Sequence, residues 1–354
     1  MRVAFVLGTA TGGTGRHVAM LVEGLTRRGH RTLVAGPPSV ERQFGFTGLG
    51  ARFVPVPVSD RPHPVNDLRA VAAIRRLTRE ADVVHAHGLR AGALAWLARP
   101  RAPLVVTLHN ALTAGGFTGF VYGVLERIVA RADRVLVVSP DLGERMRRLG
   151  ARDVRPAVVP AWRLRPATRT PQEVRAELGL GERALVLALA RLAQQKGLDT
   201  LLDAAAGVEG ALFAVAGDGP LRGELQARID AEGLPVVLLG NRDDVPDLLA
   251  GATVAVWASR WEGQPLSVSE ALMAGTPVVA TATGGIPGLV GDAGILVPYG
   301  DADALRSAVL KVVGDAAEAG RLARAAARRG AELPGEDDAV ESVLAAYGHD
   351  REKD

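Results

Sequence analysis

The chain has 354 residues, 48% of them hydrophobic and 23% charged, with 42 glycines and no cysteine. That length accommodates two domains and that composition a soluble α/β protein, while the missing cysteines exclude disulfides, thiolate nucleophiles and thiolate-bound metals. The formal charge of +3 joins a basic first part, with 24 arginines against 11 acidic residues over 1–163 (+13), to a remainder with 18 basic against 28 acidic residues (−10), which points to an anionic partner or surface for the first part.

The N-terminus, MRVAFVLGTATGG, has too short an apolar run for a signal peptide and reads as a first β-strand. No run of about 18 apolar residues follows, so no membrane span is expected, and the expected location is the cytoplasm. Strand candidates then follow at Val3–Leu7, Thr32–Ala35, Phe53–Pro57, Val83–His87, Leu104–His109, Arg134–Ser139 and Val154–Val159. Between several of them lie amphipathic stretches such as His17–Arg28 and Asp67–Arg79, with apolar residues at helical spacing. The second of these carries Arg69, Arg75, Arg76 and Arg79, and with Phe117, Phe120 and Tyr122 of the segment Gly115–Tyr122 it reads as a surface for anionic lipid. The segment 162–171, WRLRPATRTP, is rich in Pro and Arg and reads as a linker. The pattern then restarts, with strands at Leu185–Ala190, Leu212–Ala216, Val236–Leu239, Val254–Trp257, Pro277–Ala280 and Ile295–Val297. After Asp301 the chain is mostly helical. Strand–helix alternation implies parallel sheets, which bind ligands beyond the carboxyl ends of their strands. Two Rossmann-like domains in tandem are therefore expected, with a cleft between them.

Several motifs sit where such ligands bind. Gly12-Gly13-Thr14-Gly15 lies between the first strand and the first helix, but the second strand ends in Ala35-Gly36-Pro37, without the acid that a dinucleotide ribose needs. A nicotinamide enzyme is thereby rejected. His85 and His87 share one face of their strand and lie near its carboxyl end, as His109 does on the next. A metal site there is an alternative, but no acidic residue or third histidine arrives at ligand spacing. Arg191 and Lys196 follow the first strand of the second domain, where two cations can neutralise a diphosphate. In SRWEGQPLSVSEALMAGTPVVATATGG, Glu262 and Glu270 stand with seven residues between them. Pro265 suits the first position of a helix that Gly275 and Pro277 end. The amides of Leu266, Ser267 and Val268 then form an anion site between two acceptors for sugar hydroxyls. Asp301-Ala302-Asp303 spells a metal-binding pattern, yet its place before Ala304-Leu305-Arg306 makes one aspartate a helix cap, and no metal is expected.

The Glu-x7-Glu segment, the Arg191-x4-Lys196-Gly197 pair, Gly217-Asp218-Gly219-Pro220, the Gly12-Gly13 loop and the two histidine segments together resemble the retaining glycosyltransferases of the large GT-B family 4 over nearly the whole chain. The resemblance implies an acceptor-binding Rossmann-like domain over 1–163, a nucleotide-sugar-binding one over 172–334, and a helix over 335–354 returning to the first. It implies transfer of a sugar from a nucleotide diphosphate, UDP in preference to GDP, to a lipid-linked or small-metabolite hydroxyl, with retention and without metal, nucleic acid or a bound cofactor. By the same resemblance Arg191 and Lys196 hold the diphosphate, Glu262 the donor sugar and Glu270 the ribose. His109 lies at the reacting centre. Gly13, Gln264, Leu266, Ser267 and Val268 line the donor. Asn241 and Arg242 belong to the loop on the base, and Gly12 and His87 lie on the acceptor side. Three positions depart from the family pattern. Gln264 stands where an aromatic residue is common, Gly288 replaces a glutamate, and Ala161-Trp162 replaces Asn-Gly. A non-catalytic nucleotide-sugar-binding subunit and a GT-B 2-epimerase stay open as alternatives.

Overall fold

The computed structural model describes residues 1–9, 12–59, 62–110 and 116–348, with backbone alone at 116–118. The chain divides into two compact units, residues 1–160 with the C-terminal segment from Pro334, and Ala161–Leu333. The first contains seven strands: β1 (Arg2–Leu7), β2 (Arg31–Gly36), β3 (Arg52–Pro55), β4 (Val83–His87), β5 (Leu104–Leu108), β6 (Arg134–Val137) and β7 (Val154–Pro156). The second contains six: β8 (Ala184–Leu189), β9 (Ala211–Ala216), β10 (Val236–Gly240), β11 (Val254–Trp257), β12 (Val278–Thr281) and β13 (Gly294–Val297). Each strand candidate from the sequence is therefore a strand. The ends move by a residue or a few, and β5 stops at Leu108, leaving His109 in the following loop.

Every strand pair is parallel. The orders are β3-β2-β1-β4-β5-β6-β7 and β10-β9-β8-β11-β12-β13. In each sheet the order of winding reverses once, between β1 and β4 and between β8 and β11. Loops leaving adjacent strands in opposite directions open a crevice at such a reversal. The two switch points therefore dictate where each unit can bind a ligand.

Period-two alternation builds the core of the second unit. Val186 and Ala188 face one apolar cluster with Leu198, Leu202, Phe213 and Leu305. Leu185, Leu187 and Leu189 face another with Leu248, Trp257, Val268 and Leu272. A sheet covered on both faces needs continuous apolar strands, as these sequences are, and each large side chain buried there contributes about 1.5–3 kcal/mol. The linker is fastened to this unit. The backbone N–H groups of Thr168 and Arg169 donate to Asp247 Oδ1 at 2.6 and 3.1 Å. Burial alone would raise the Asp247 pKa, but these amides and the Arg169 guanidinium hold it down to about 2.

In the first unit, the helix Glu336–Tyr347 packs on the helix Gly13–Arg27. Gly24 permits the approach, since a Cβ there would lie 2.5 Å from Val340 Cγ2. The end of the returning helix is held by Arg134, whose guanidinium donates to the Ala346 carbonyl. It is also held by the Tyr347 hydroxyl, 2.7 Å from His85 Nδ1.

Candidate active site

At the switch point of the second unit, the loop after β8 carries Arg191 and Lys196 and the loop after β11 carries Glu262. A short 3-10 turn, Gln194–Lys196, brings the lysine inward. Gly197 follows with φ +60, and a Cβ there would lie 2.1 Å from the Ala258 carbonyl oxygen. Only glycine lets the two loops close this tightly. They are stitched by Gln195, whose side-chain amide donates to the Trp261 carbonyl at 2.8 Å and whose own carbonyl accepts from the Arg260 N–H at 2.8 Å. Lys196 Nζ consequently lies 2.5 Å from Glu262 Oε1.

Glu262 is 7% exposed and anchored three further ways. The Ser259 hydroxyl donates to Oε1 at 2.7 Å. The Gly285 N–H donates to the Glu262 carbonyl at 3.0 Å. Gly284 packs so closely on that carbonyl that a Cβ would lie 1.9 Å from its oxygen. Ser259 is itself positioned by the Thr281 and Thr283 hydroxyls, which donate to its carbonyl at 2.6 and 3.2 Å. Both polar contacts of the carboxylate fall on Oε1. The ammonium has three donors and gives one to Glu262. Arg191 is exposed, and among the described residues its guanidinium pairs with no carboxylate. Its loop rests on the Gly217–Pro220 turn, through Leu192 N–H to the Asp218 carbonyl at 3.0 Å and Leu221 N–H to the Leu192 carbonyl at 3.1 Å.

Two expectations at the Glu-x7-Glu segment need correction. Pro265 is the residue that caps the helix, with extended backbone, and Leu266 is its first helical residue. The Val268 N–H is taken up by the Pro265 carbonyl at 3.0 Å, so it is not a free donor. Leu266 and Ser267 retain the first two helix amides, the positions that have no acceptor within a helix. The Ser267 hydroxyl accepts from Trp257 Nε1 at 3.0 Å. Glu270 lies half-buried within the helix Leu266–Met273, and Gln264 is half-buried before it. The Arg242 side chain is engaged in ion pairs. Its guanidinium binds Asp244 at 2.7 and 2.6 Å and Glu177 at 3.0 Å, which raises its pKa. That network props the loop after β10, so the side chain is not free for a donor. Asn241 beside it is exposed. Asp301 caps the helix Ala302–Gly314 by accepting from the Ala304 N–H at 2.8 Å, and Asp303 pairs with Arg306 at 2.6 Å. Gly288 lies in the short helix Ile286–Val290, and its carbonyl accepts from Arg329 at 2.8 Å.

The switch point of the first unit is of a different kind. Gly12 has φ +68 and precedes the helix Gly13–Arg27, and a Cβ on Gly12 or Gly13 would meet nothing within 4 Å. Among the described residues nothing packs over the helix N-terminus. Beneath it four imidazoles cluster. His87 Nδ1 is 3.0 Å from His109 Nε2. The His17 ring lies 5.5 Å from His109 and 5.9 Å from His87, centroid to centroid. The His85 ring is 4.1 Å from His87, and its two nitrogens are taken by Tyr347 and by the Thr107 hydroxyl at 2.7 Å. Burial lowers the pKa of His17 to about 4 and of His85 to about 3, with a smaller contribution from His17 in the second case. His87 and His109 are pushed well below 6.5, again mainly by burial and then by neighbouring histidines. All four are neutral at pH 7.

Sequence reasoning placed His85, His87 and His109 here but missed His17 and Tyr347. His17 falls one helical turn after the Gly-Gly loop and has no signal of its own in the sequence. Tyr347 has no sequence signal, because 262 residues separate it from His85. Ser259 and Gln195 went unremarked for the same reason, being ordinary polar residues until the two loops are seen to meet. Among the described residues no group of three or more His, Cys, Asp or Glu could hold a metal.

Two parallel sheets of seven and six strands, each with polar groups gathered at its switch point, define a GT-B architecture. Residues 12–162 match the glycosyl transferase 4-like domain, and residues 183–315 match the glycosyl transferases of group 1. The chain belongs to the family 4-like GT-B glycosyltransferases. It is 33% identical over 285 residues to a 2-deoxystreptamine N-acetyl-D-glucosaminyltransferase of Streptomyces fradiae, spanning 70% of this chain and 66% of that protein. It is 28% identical over 365 residues to an alpha-D-kanosaminyltransferase of Streptomyces kanamyceticus, spanning 88% and 92%. Among solved structures, Anabaena HepE in complex with UDP superposes with a TM-score of 0.84 at 21% identity, over 99% of this chain and 100% of that one.

Proposed function

We propose that this chain is a retaining, metal-independent glycosyltransferase of the hexosyl type, taking its sugar from a nucleotide diphosphate, UDP in preference to GDP. The observation that carries the reading is the Lys196–Glu262 pair at 2.5 Å beside Arg191, which pairs with no carboxylate among the described residues, and the first two amides of the helix Leu266–Met273. One end of this cluster offers positive charge to a leaving diphosphate and the other a buried carboxylate oxygen to sugar hydroxyls. A transferase must stabilise charge that grows on the leaving group, and fixed cations and amides do this without reorganising. Glu270 would take the ribose, and the loop at Asn241 the base through its backbone. With these cations in place no metal is required, and no cofactor beyond the nucleotide sugar. The UDP bound to HepE supports the choice of nucleotide.

In this reading the second unit holds the donor and the first the acceptor. The acceptor hydroxyl attacks on the face the diphosphate leaves, so configuration is kept without a covalent enzyme intermediate. His109 orients the reacting oxygens, and Gly12 and Gly13 leave room above the helix. The test is to incubate the protein with UDP- and GDP-sugars in EDTA. Release of nucleotide diphosphate and an α-product from an α-donor are expected. Loss of turnover in EDTA with rescue by Mn²⁺ would remove metal independence, and an inverted product would remove retention.

The acceptor is proposed to be lipid-linked and met at the inner face of the cytoplasmic membrane. On the helix Pro64–Leu77 and the turn after it, Arg69, Arg75, Arg76 and Arg79 are exposed, with Leu68 72% exposed beside them. The helix Gly116–Val129 adds Phe120, 70% exposed. Tyr122 is half-buried; Gly115 and the side chain of Phe117 lie outside the described residues. No helix among the described residues is long and apolar enough to cross a membrane. Such a surface binds anionic lipid at about 1 kcal/mol per cation. Co-sedimentation with anionic liposomes should weaken with salt. Protein that stays in the supernatant at low salt would favour a small-metabolite acceptor.

A further inference from the structure

His87 and His109 are neutral, so each carries one ring proton, and the 3.0 Å contact between His87 Nδ1 and His109 Nε2 holds one proton between them. Two arrangements satisfy it. In one, His109 Nε2–H donates to His87 Nδ1. The His87 proton then sits on Nε2, which is buried without a hydrogen-bond partner among the described residues. In the other, His87 Nδ1–H donates to His109 Nε2. Then His87 Nε2 is a bare lone pair, and the His109 proton sits on Nδ1.

The two differ in what they bury. An orphaned buried N–H is rarer in folded proteins than an under-used acceptor. Among the described residues no neighbour reverses the preference. The His85 nitrogens are occupied by Tyr347 and Thr107. The Phe5 ring lies 5.8 Å from the His87 ring and offers only an apolar face. The closest further imidazole, His17, has its own Nδ1 buried and unpartnered, and its ring is 5.9 Å from His87. We propose that His87 is a positioning residue that donates from Nδ1 to His109, fixing His109 as the Nδ1–H tautomer so that it presents a hydrogen-bond donor, not a base, at the mouth of the first unit. A neutral donor suits a sugar or acceptor oxygen that must be oriented without losing its proton early. This inference rests on the transferase reading for its consequence but not for its geometry.

The test has two arms. Long-range ¹H–¹⁵N spectra of the full chain labelled at histidine, with His109 assigned through His109→Asn, should show its proton on Nδ1. A proton on Nε2 overturns the proposal whether or not any variant folds. Kinetically, His87→Leu should cut kcat about tenfold or more with KM for the nucleotide sugar within about twofold, because it frees the imidazole without touching the donor site. His87→Asn places an amide donor near the same point and should keep most of kcat. Unchanged kcat in His87→Leu, or equal loss in both variants, would overturn it. Failure of the wild-type protein to turn over any nucleotide sugar would sink the transferase reading and leave the tautomer to be judged by the spectrum.

Discussion

The two switch points handle polarity in opposite ways. The first unit buries neutral imidazoles and keeps them uncharged by depth, and the second keeps formal charges and neutralises them by pairing, Lys196 with Glu262 and Arg242 with Asp244 and Glu177. The sequence marks the same division, since all seven histidines lie within residues 1–109 or at His349, and none lies between Ala161 and Leu333. A site that must hold a permanent dianion needs permanent charge. A site that must orient hydroxyls is served by groups that donate and accept without charge. The contrast also separates the two units by experiment, because pH should act on one and charge removal on the other.

The largest effect should come from the charged end. Glu262→Gln and Arg191→Ala should each reduce nucleotide-diphosphate release about 10²–10³-fold and leave the fold intact. Near wild-type turnover in either, at saturating donor, would dissolve the contrast. Lys196→Ala leaves Glu262 with Ser259 alone, so its defect should include lost stability. The double variant Lys196→Ala/Glu262→Gln should be more stable than Lys196→Ala by denaturant titration, because it removes the stranded carboxylate.

Acid should break the first unit before the second. The pKa values of His17 and His85 are lowered on folding, so the unfolded chain binds more protons below about 6.5. Stability is therefore full above that pH. It is lost as pH falls toward about 4 for His17 and about 3 for His85. At pH 5 the expected loss is about 2 kcal/mol for each of these two histidines. Hydrogen-exchange protection, corrected for intrinsic rate, should drop in Val83–His87 between pH 7 and 5 and hold in Val254–Trp257. Equal loss in both strands would show that the imidazole cluster is not the acid-sensitive element.

Ser259→Ala should have the smallest effect. It removes one hydrogen bond to a buried carboxylate, an interaction of about 1.5–3 kcal/mol, and leaves Lys196 in place. The specificity constant kcat/KM should fall about tenfold, mostly through a raised KM for the donor. No change in either constant would mean that the lysine alone positions Glu262.

The strands were legible because parallel sheets buried on both faces require β-branched and apolar runs, and those runs stand out against Gly- and Pro-rich breaks. The placement of Arg191, Lys196 and Glu262 on loops after strands, and of Glu270 within the following helix, was legible because each of these segments is contiguous in sequence. What joins the loops was not. Gly197 against Ala258, Gln195 against Trp261, and Tyr347 against His85 are contacts between distant segments, made by residues that have no chemical signature alone. The brace at Arg242 was not legible either, because one of its two acidic partners, Glu177, lies in a distant segment and only Asp244 is nearby in sequence. Val268 misled because counting helix amides from Pro265 placed the first turn one residue early.

In the proposed function the second unit grips a nucleotide diphosphate through Arg191 and Lys196. Isothermal titration of UDP and GDP into the wild-type chain and into Arg191→Ala and Lys196→Ala tests it directly. UDP should bind the wild type more tightly than GDP, and each variant should lose about tenfold or more in affinity. Undetectable binding of both nucleotides to the wild type, or equal affinity in all three proteins, would contradict it.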